Sequence, residues 1–374
     1  MKKIFTLFIL LILSITLFSQ SGFNPIQTAV PFLTIAPDSR AGGMGDAGVA
    51  TSPDVYSMHW NPAKFAFIDG NAGIATSYIP YLRNVISDIN ILELTGYKRI
   101  DKKQVISASL LYSSLGNIQF TDEFGNFVRS FNPNEFAVDI GYSRLLSDKF
   151  SGGMAFRFIY SNLTGGEYNT KPGVSFAADI SGYYQNKISF LNKDAQLSFG
   201  FNLSNLGSKM SYSSSEVSNF IPMNMRLGTA LTINLNNYNK LTVTLDLNKL
   251  LVPTSPIYSI TNPDSIVKGR NPNVAVPVAI FQSFFDAPGG FKEELQEITF
   301  SPGVEYMYNN TFAIRGGYFH ENAFKGNRKY FTIGTGFTFK GFTLDFSYLM
   351  PVSQNSVLAH MLRFSLAFNI NSKK

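Results

Sequence analysis

The chain has 374 residues, of which 14% are aromatic and only 15% charged, and it contains no cysteine. A soluble protein of this length would form about two or three domains, with roughly 25% charged residues. The missing cysteine excludes disulfides, iron–sulfur clusters and thiolate metal sites, and the aromatic content excludes a disordered chain. The net charge of +6 comes from scattered basic residues, so no nucleic-acid-binding surface is predicted.

Residues 1–19 are predicted to be a secretory signal peptide. Lys2 and Lys3 precede an uninterrupted apolar stretch, residues 4–13, and the small residue Ser19 follows. This order of basic, apolar and small residues is typical of a cleaved export signal. An uncleaved membrane anchor is the alternative, but the apolar stretch is short for a span that needs roughly 20 residues.

The rest of the chain is dominated by side chains that alternate with a period of two. Near the C-terminus, Leu362, Phe364 and Leu366 alternate with Ser365 and Ala367, which is typical of a β-strand. Most such segments are long enough for a tilted strand to cross a bilayer, which takes ~9–11 residues. The predicted strands are residues 71–81, 88–100, 103–115, 134–147, 149–162, 172–187, 194–206, 222–236, 239–251, 296–309, 311–320, 328–340, 341–350 and 358–371.

The connections between these segments alternate between tight turns and long loops. Asn309–Asn310 and Lys340–Gly341 suit two-residue hairpin turns with positive φ, whereas the longest loop covers 252–295. Short turns at one end and long loops at the other are typical of an outer-membrane barrel. The sequence therefore predicts an all-β, transmembrane outer-membrane β-barrel of about 14 antiparallel strands in residues 70–374. An N-terminal periplasmic, or hatch, segment, 20–69, precedes it.

Charged side chains support the barrel over a soluble β-sandwich or propeller, whose interior would be apolar. A basic side chain facing lipid near the midplane would cost ~2–4 kcal/mol. With the apolar side chains facing lipid, five acids and four bases face the lumen, and this near balance favours a salt-bridge network over an ion or substrate path. The predicted luminal charges are Asp139, Arg157, Asp179, Arg226, Asp246, Glu305, Arg315, Asp345 and Arg363.

Two motifs lie in the predicted hatch. Gly43, Gly45 and Gly48 have the spacing of a dinucleotide-binding loop, but no strand precedes them and Pro53 interrupts the helix that should follow. We interpret the glycines as allowing a tightly folded segment to pack in the barrel mouth. The second motif, His59 with Trp60, Asn61 and Pro62, is interpreted as a turn that tucks this segment under the barrel.

No catalytic, cofactor-binding or metal-binding residues are predicted. His59, His320 and His360 are far apart in the sequence, and no serine has a histidine and an acid at a familiar spacing. A hydrolase with a serine–histidine pair in the barrel wall stays open as an alternative, although no residue suggests one.

The 252–295 loop combines six prolines with apolar and aromatic residues. Loops of this length are usually functional, and exposed apolar side chains indicate a docking surface. The alternative is that the loop folds back and plugs its own barrel. The candidate contact residues for partner and cargo are Val274, Val276, Val278, Ile280, Phe281, Phe284, Phe285 and Phe291.

Several of these segments together resemble one family. Ser39–Ala50 followed by His59–Ala63, and Asp286–Phe291 followed by Glu293–Leu295, are similar to PorV (also called LptO) proteins. These are outer-membrane components of the type IX secretion system of Bacteroidetes, within the long-chain fatty-acid transporter-like superfamily. The similarity covers essentially the whole mature chain.

The resemblance implies a fourteen-stranded barrel that is neither an enzyme nor the conduit for secreted proteins. It implies docking against the giant translocon barrel, binding of cargo proteins through their C-terminal signal domain, and delivery to the cell-surface attachment complex that contains a sortase. The alternative is an outer-membrane transporter of fatty acids or other hydrophobic small molecules. That alternative would require a continuous apolar tunnel through the barrel.

Overall fold

The computed structural model describes most of the chain beyond the predicted signal peptide, whose residues 1–19 lie outside the described part. Fourteen strands form one closed antiparallel barrel, as predicted. The barrel closes where the first strand pairs with the last, from Ala72 opposite Ile370 to Tyr78 opposite Phe364. The described residues are 23–83, 86, 88–166, 170–213, 218–353 and 356–370.

Eighteen strands and four α-helices are present in the described residues, together with 3₁₀ turns at Pro31–Thr34 and Pro62–Phe67. The strands are β1 Ala72–Pro80, β2 Ile89–Arg99, β3 Gln104–Leu115, β4 Ile118–Thr121, β5 Phe127–Phe131, β6 Asn134–Leu145, β7 Phe150–Asn162, β8 Gly173–Phe190, β9 Lys193–Gly207, β10 Asn224–Asn234, β11 Asn239–Leu250, β12 Ile257–Tyr258, β13 Ile266–Lys268, β14 Thr299–Tyr308, β15 Phe312–His320, β16 Lys329–Phe339, β17 Phe342–Pro351 and β18 Met361–Ile370. The helices are α1 Ser39–Gly42, α2 Ser57–Trp60, α3 Val276–Gln282 and α4 Phe291–Gln296.

All fourteen predicted segments are barrel strands, and the differences lie at their ends. The sequence predicts that β8 ends near residue 187, whereas the strand continues to Phe190. A two-residue turn follows, in which Leu191 and Asn192 both have positive φ, 50° and 58°. Two small hairpins were not predicted: β4 with β5, and β12 with β13, each outside the barrel wall.

The two ends of the barrel differ in the length of their connections. At one end the turns contain two to four residues, and at the other the longest connection covers residues 251–298. Asn309 and Asn310, with φ of 51° and 53°, have the predicted left-handed geometry. Since outer-membrane barrels keep their short turns in the periplasm, the long connections mark the extracellular end.

The wall separates an apolar outer face from a polar inner face. On β16, Phe331, Ile333 and Phe337 are exposed on the outside, and Thr332 between them is buried. The alternation follows from the strand pleat, which sends successive side chains to opposite faces. None of the helices in the described residues is long and apolar enough to cross a membrane.

The lipid-facing band gives a first prediction. Ile333→Arg places a charge on the outer face of β16, and we expect the free energy of unfolding to fall by ~2–4 kcal/mol. Ile260→Arg is the control, because Ile260 is fully exposed on the extracellular loop and should change stability by less than about 0.5 kcal/mol. Denaturant unfolding in lipid vesicles measures both, and equal effects would contradict the assigned membrane band.

Candidate functional site: a plugged lumen and an extracellular cap

The hatch, described here over residues 23–69, runs through the lumen from the extracellular end to the periplasmic end. At its start, the Asn24 backbone N–H donates to the Phe324 carbonyl oxygen at 2.8 Å, in an extracellular loop. At its end, Phe65 packs with Tyr97 near the periplasmic turns. The segment lies inside the barrel, which agrees with a hatch whose glycines pack against the wall and differs from a periplasmic position. Its path through the lumen could not be predicted from the sequence, because the hatch has no periodic pattern.

Gly43 and Gly45 sit where the hatch touches the backbone of the wall. Gly45 has φ of 72°, and a Cβ there would lie 2.6 Å from the Tyr318 carbonyl oxygen of β15. A Cβ at Gly43 would lie 3.1 Å from the Cα of Gly334 on β16. Only glycine combines the left-handed conformation with this close approach. The motif thus reflects packing of the hatch against the wall.

Gly48 packs against the indole ring of Trp60, where a Cβ would come within 2.4 Å. The Trp60 Nε1–H donates to the Asp38 carboxylate at 2.6 Å, and the same carboxylate caps α1 by accepting from the Ala41 N–H at 2.8 Å. The single tryptophan therefore ties two turns of the hatch together.

Asn61 and Pro62 anchor the hatch to the wall. The Asn61 side-chain amide is buried and donates to the carbonyl oxygens of Val49 and Gly182, each at 3.0 Å. The Ser143 hydroxyl of β6 donates to the Pro62 carbonyl oxygen at 2.6 Å. The turn predicted to lie under the barrel is therefore wrongly placed: it lies within the lumen and contacts the wall.

The nine predicted luminal charges are all buried, and several pair with the hatch. Arg315 contacts Glu305 and Asp345, each at 2.7 Å. Glu305 also accepts from Arg40 of the hatch at 3.0 Å. Arg363 pairs with Asp46 of the hatch at 2.9 Å. Ion pairs thus cross between wall and hatch.

The other predicted charges form a second group. Arg157 lies 2.6 Å from Asp139 and 3.3 Å from Asp179. Asp246 accepts the backbone N–H groups of Gly48 and Val49 at 2.7 and 2.8 Å. A carboxylate that accepts two buried N–H groups replaces part of its lost hydration.

Arg226 is different, because no carboxylate lies within 4.0 Å of it among the described residues. Its guanidinium donates to the His59 carbonyl oxygen at 2.7 Å and lies over the Trp60 ring, 5.2 Å from its centroid.

Sequence reasoning missed several buried charges. Those on the strands could have been found, because Glu93 and Glu135 occupy inward positions of the same alternation that identified the other nine. Those on the hatch have no periodic signal. The missed residues are the buried Asp38, Arg40, Lys64, Glu93 and Glu135 and the partly buried Asp46.

A cavity of about 320 Å³ lies between the hatch and the extracellular half of the wall. Arg226 and Trp60 line its deep end, and Lys325 and Arg328 line its extracellular end. Apolar side chains such as Phe319 complete the lining. The cavity is thus mixed in character and bordered by charges.

The described residues give no support for catalysis or metal binding. The ring of His59 approaches Arg226, whereas those of His320 and His360 contact the hydroxyls of Tyr318 and Tyr348. Over the described part of the chain, no group of three or more histidine or acidic side chains could hold a metal ion.

The cap, residues 251–298, covers the extracellular mouth. The inner side of α3 carries Ala279, which is fully buried against the same apolar cluster as Val30 and Leu33 of the hatch. Val274, Val276 and Ile280 are partly buried against that cluster. The cap therefore closes over the hatch.

A buried cluster of charges fastens the cap to the barrel. Lys249 at the end of β11 contacts Glu294 and Glu297 at 3.1 and 2.6 Å. Lys325, from the loop after β15, contacts Glu297 at 2.9 Å and Glu293 at 2.6 Å. We call this cluster of Lys249, Lys325, Glu293, Glu294 and Glu297 the latch. The hatch contacts it because the Asn24 side chain donates to Glu293 at 3.2 Å.

The outer side of the cap is apolar and exposed. Five of the eight candidate contact residues lie there, and Phe281 and Phe291 are the most exposed, at 70% and 77%. Val278 and Phe281 lie three positions apart on α3 and so share one side of the helix, and Phe284 and Phe285 follow shortly after the helix ends. Together with Phe291 they form the exposed stripe. The exposed set is Val278, Phe281, Phe284, Phe285 and Phe291.

Comparison with known proteins gives the family. A model described as "Type IX secretion system protein PorV" matches residues 18–257, more than half of the chain. The chain belongs to the PorV family. The match ends inside the cap, so most of the cap lies beyond the region that places the chain among PorV proteins. No match was found among the curated proteins.

Solved structures show the fold that this PorV family member shares. Two structures of the toluene transporter TodX of Pseudomonas putida align with TM-scores of 0.50, at 12% and 11% identity. The alignments cover 93% and 91% of this chain and 98% and 99% of those chains. A FadL homologue of Pseudomonas aeruginosa is 11% identical, covering 94% of this chain and 100% of that one, with a TM-score of 0.46. These likenesses concern the outer-membrane barrel fold alone.

The hatch glycines give a second prediction. Gly45→Ala forces alanine into the left-handed region, at about 1–2 kcal/mol, and crowds Tyr318, at a further ~1–3 kcal/mol. Gly125→Ala is the matched control, since Gly125 has φ of 81° but nothing within 4 Å of a Cβ. Unfolding in denaturant should show a larger loss for Gly45→Ala, and equal losses would contradict close packing of the hatch.

The latch gives a third prediction, on pH. Burial, with repulsion from Glu294 and Glu297, raises the pKa of Asp286 to about 6. An acid whose pKa is higher in the folded state stabilises that state when protonated, and this contribution is lost as the pH rises through the folded pKa. Lowering the pH from about 7 to about 5 should therefore slow hydrogen exchange of the α4 amides, after correction for intrinsic exchange.

Asp286→Asn is the comparison for this experiment, because the amide keeps an acceptor for the Thr254 N–H and cannot titrate. We expect the gain in protection to vanish in this variant. Burial acts to raise the pKa of Glu293, but the hydrogen bonds from Lys325, the Gly289 N–H and Asn24, with the charge of Lys325, together outweigh it and the pKa is lowered, so Glu293 stays charged. The same gain in both proteins would exclude Asp286 as its source.

Proposed function

We propose that this chain is a non-enzymatic outer-membrane component of the type IX secretion system that carries cargo on its extracellular side. In this proposal it is exported by a signal peptide, residues 1–19, and binds the giant translocon barrel. It then holds cargo proteins by their C-terminal signal domain and delivers them to the surface attachment complex that contains a sortase. The observation that carries the proposal is an exposed aromatic surface on the cap of a plugged barrel.

The aromatic stripe supports a docking role. Large aromatic side chains exposed together are unusual on a protein surface and mark contact sites. Phe281 lies on the exposed side of α3, Phe285 follows shortly after the end of that helix, and Phe291 begins α4. Aromatic anchors of this kind supply much of the binding energy in protein interfaces.

The support beneath the stripe is rigid, which favours binding further. Ala279 is fully buried on the opposite side of α3, and the Gln282 side chain donates to the Asn271 carbonyl oxygen at 3.0 Å. A surface held in place before binding loses less conformational entropy when a partner docks.

The filled lumen favours a carrier over a transporter of fatty acids or other hydrophobic molecules. Such a transporter would need a continuous apolar path, whereas the hatch lies along the lumen and is tied to the wall by ion pairs such as Arg40–Glu305. The likeness to TodX concerns the fold alone, so it does not favour that alternative.

Point variants of the stripe test the proposal, since deleting residues 274–291 would also remove buried residues such as Ala279 and Asp286. We expect the combined variant Phe281→Ser, Phe285→Ser, Phe291→Ser to recover at least about tenfold less cargo from the native membrane, because interface anchors contribute more than about 1 kcal/mol each. Affinity purification followed by quantification of cargo, translocon and sortase complex measures this.

The matched control replaces Ile260 and Val267 by serine, which are exposed on the same cap but outside the stripe. Barrel insertion is checked by the shift of the folded barrel on unheated gels. Undiminished cargo recovery on the correctly inserted stripe variant would refute the docking role of this surface.

A further inference from the structure

The cavity beneath the cap has an excess of positive charge at its deep end. Three of its basic residues have acidic partners: Arg363 with Asp46, Arg328 with Glu321, and Lys325 with Glu297. The distances are 2.9, 2.8 and 2.9 Å. Arg226 is the remaining cation in the lining. The cavity thus carries one charge that the described residues do not neutralise by contact.

Arg226 is held in place, but no carboxylate of the described residues is in contact with it. Its side chain is 4% exposed, and its described hydrogen-bond partners are the carbonyl oxygen of His59 at 2.7 Å and, at 3.5 Å, the ring Nε2. A guanidinium has five N–H donors, so several are free to bind in the cavity. A buried charge without a counterion is costly unless a partner binds it.

We propose that the deep end of this cavity is an oxyanion-binding site, in which the Arg226 guanidinium donates to a phosphate or carboxylate group. The fork of a guanidinium matches two oxygens of such an anion. The group belongs either to a free anion or to the headgroup of an amphiphile, since Ile35, Phe319 and Leu358 provide apolar contacts in the same lining. The cavity of about 320 Å³ is at the small end of ligand sites.

The site is independent of the carrier role and is tested on the full mature protein, purified in a non-ionic detergent without phosphate. Inorganic phosphate is titrated while thermal unfolding is followed, with sodium chloride at matched ionic strength as reference. In parallel, denatured protein is extracted and analysed by mass spectrometry for bound anionic amphiphiles. The titration detects a free anion, and the extraction detects a headgroup.

Arg226→Gln is expected to weaken phosphate binding by about tenfold to a hundredfold, or to remove a co-purified amphiphile, because charged hydrogen bonds are lost. Arg226→Lys keeps the charge and should retain part of the binding. Arg328→Gln is the matched control, since this cavity residue is already paired with Glu321, and it should bind like the wild type.

Either readout in the wild type, with loss in Arg226→Gln, supports the site. Two results overturn it: a wild-type protein that shows neither phosphate stabilisation beyond chloride nor an extracted anion, or a ligand that persists in a folded Arg226→Gln protein. The first of these results is measured on the wild-type protein alone, so the proposal can be refuted even if the Arg226→Gln protein fails to fold.

Discussion

The hydrocarbon core of a membrane offers no hydrogen-bond partners, and the rest of this structure depends on that constraint. A sheet in the bilayer must close so that no edge is left unpaired, and here β1 and β18 pair along seven residues, from Ala72 to Tyr78. In the closed barrel, one face of each strand contacts lipid and the other face lines the lumen. The low charge and high aromatic content follow, because apolar side chains must cover the whole outer face.

The same closure creates the interior that the hatch fills. Polar and charged side chains cannot face lipid, so they gather in the lumen, where each needs a partner. Residues of the hatch provide several of these partners, as Arg40 does for Glu305 and Asp46 for Arg363. Wall glycines such as Gly334 leave room for the hatch backbone. Plug and wall are therefore a single packed unit.

Sequence predicts the wall well and the interior poorly, and the reason is the range of the interactions. The alternation around Ile333 is local, so the strand and its outward face can be read directly. The ends of the strands are harder to predict. The strand β8 continues to Phe190 because Leu191–Asn192 forms a tight turn, and leucine is not a residue that usually indicates such a turn. The Arg40–Glu305 pair joins residues 265 positions apart, and no pattern in the sequence specifies it.

The cap could be predicted in composition but not in arrangement. Its apolar residues indicated either docking or plugging, and the structure divides them by face, with Ala279 inward and Phe281 outward. Such a division needs the helix axis and the position of the hatch beneath it. The acidic stretch near Glu294 similarly becomes intelligible only when Lys249 and Lys325 are seen to meet it.

Opening the lumen would require these contacts to be broken together. Removing the hatch would leave Glu305, Arg363 and Asp246 without their hatch partners, and breaking a buried ion pair costs about 3–5 kcal/mol. The loss would extend to the cap, because Asn24 bonds to Glu293 and Ala279 packs with the hatch cluster. A closed lumen is therefore the low-energy state, and in the proposed carrier role contact with a partner disturbs the structure least at the surface that is already exposed, the outer side of the cap.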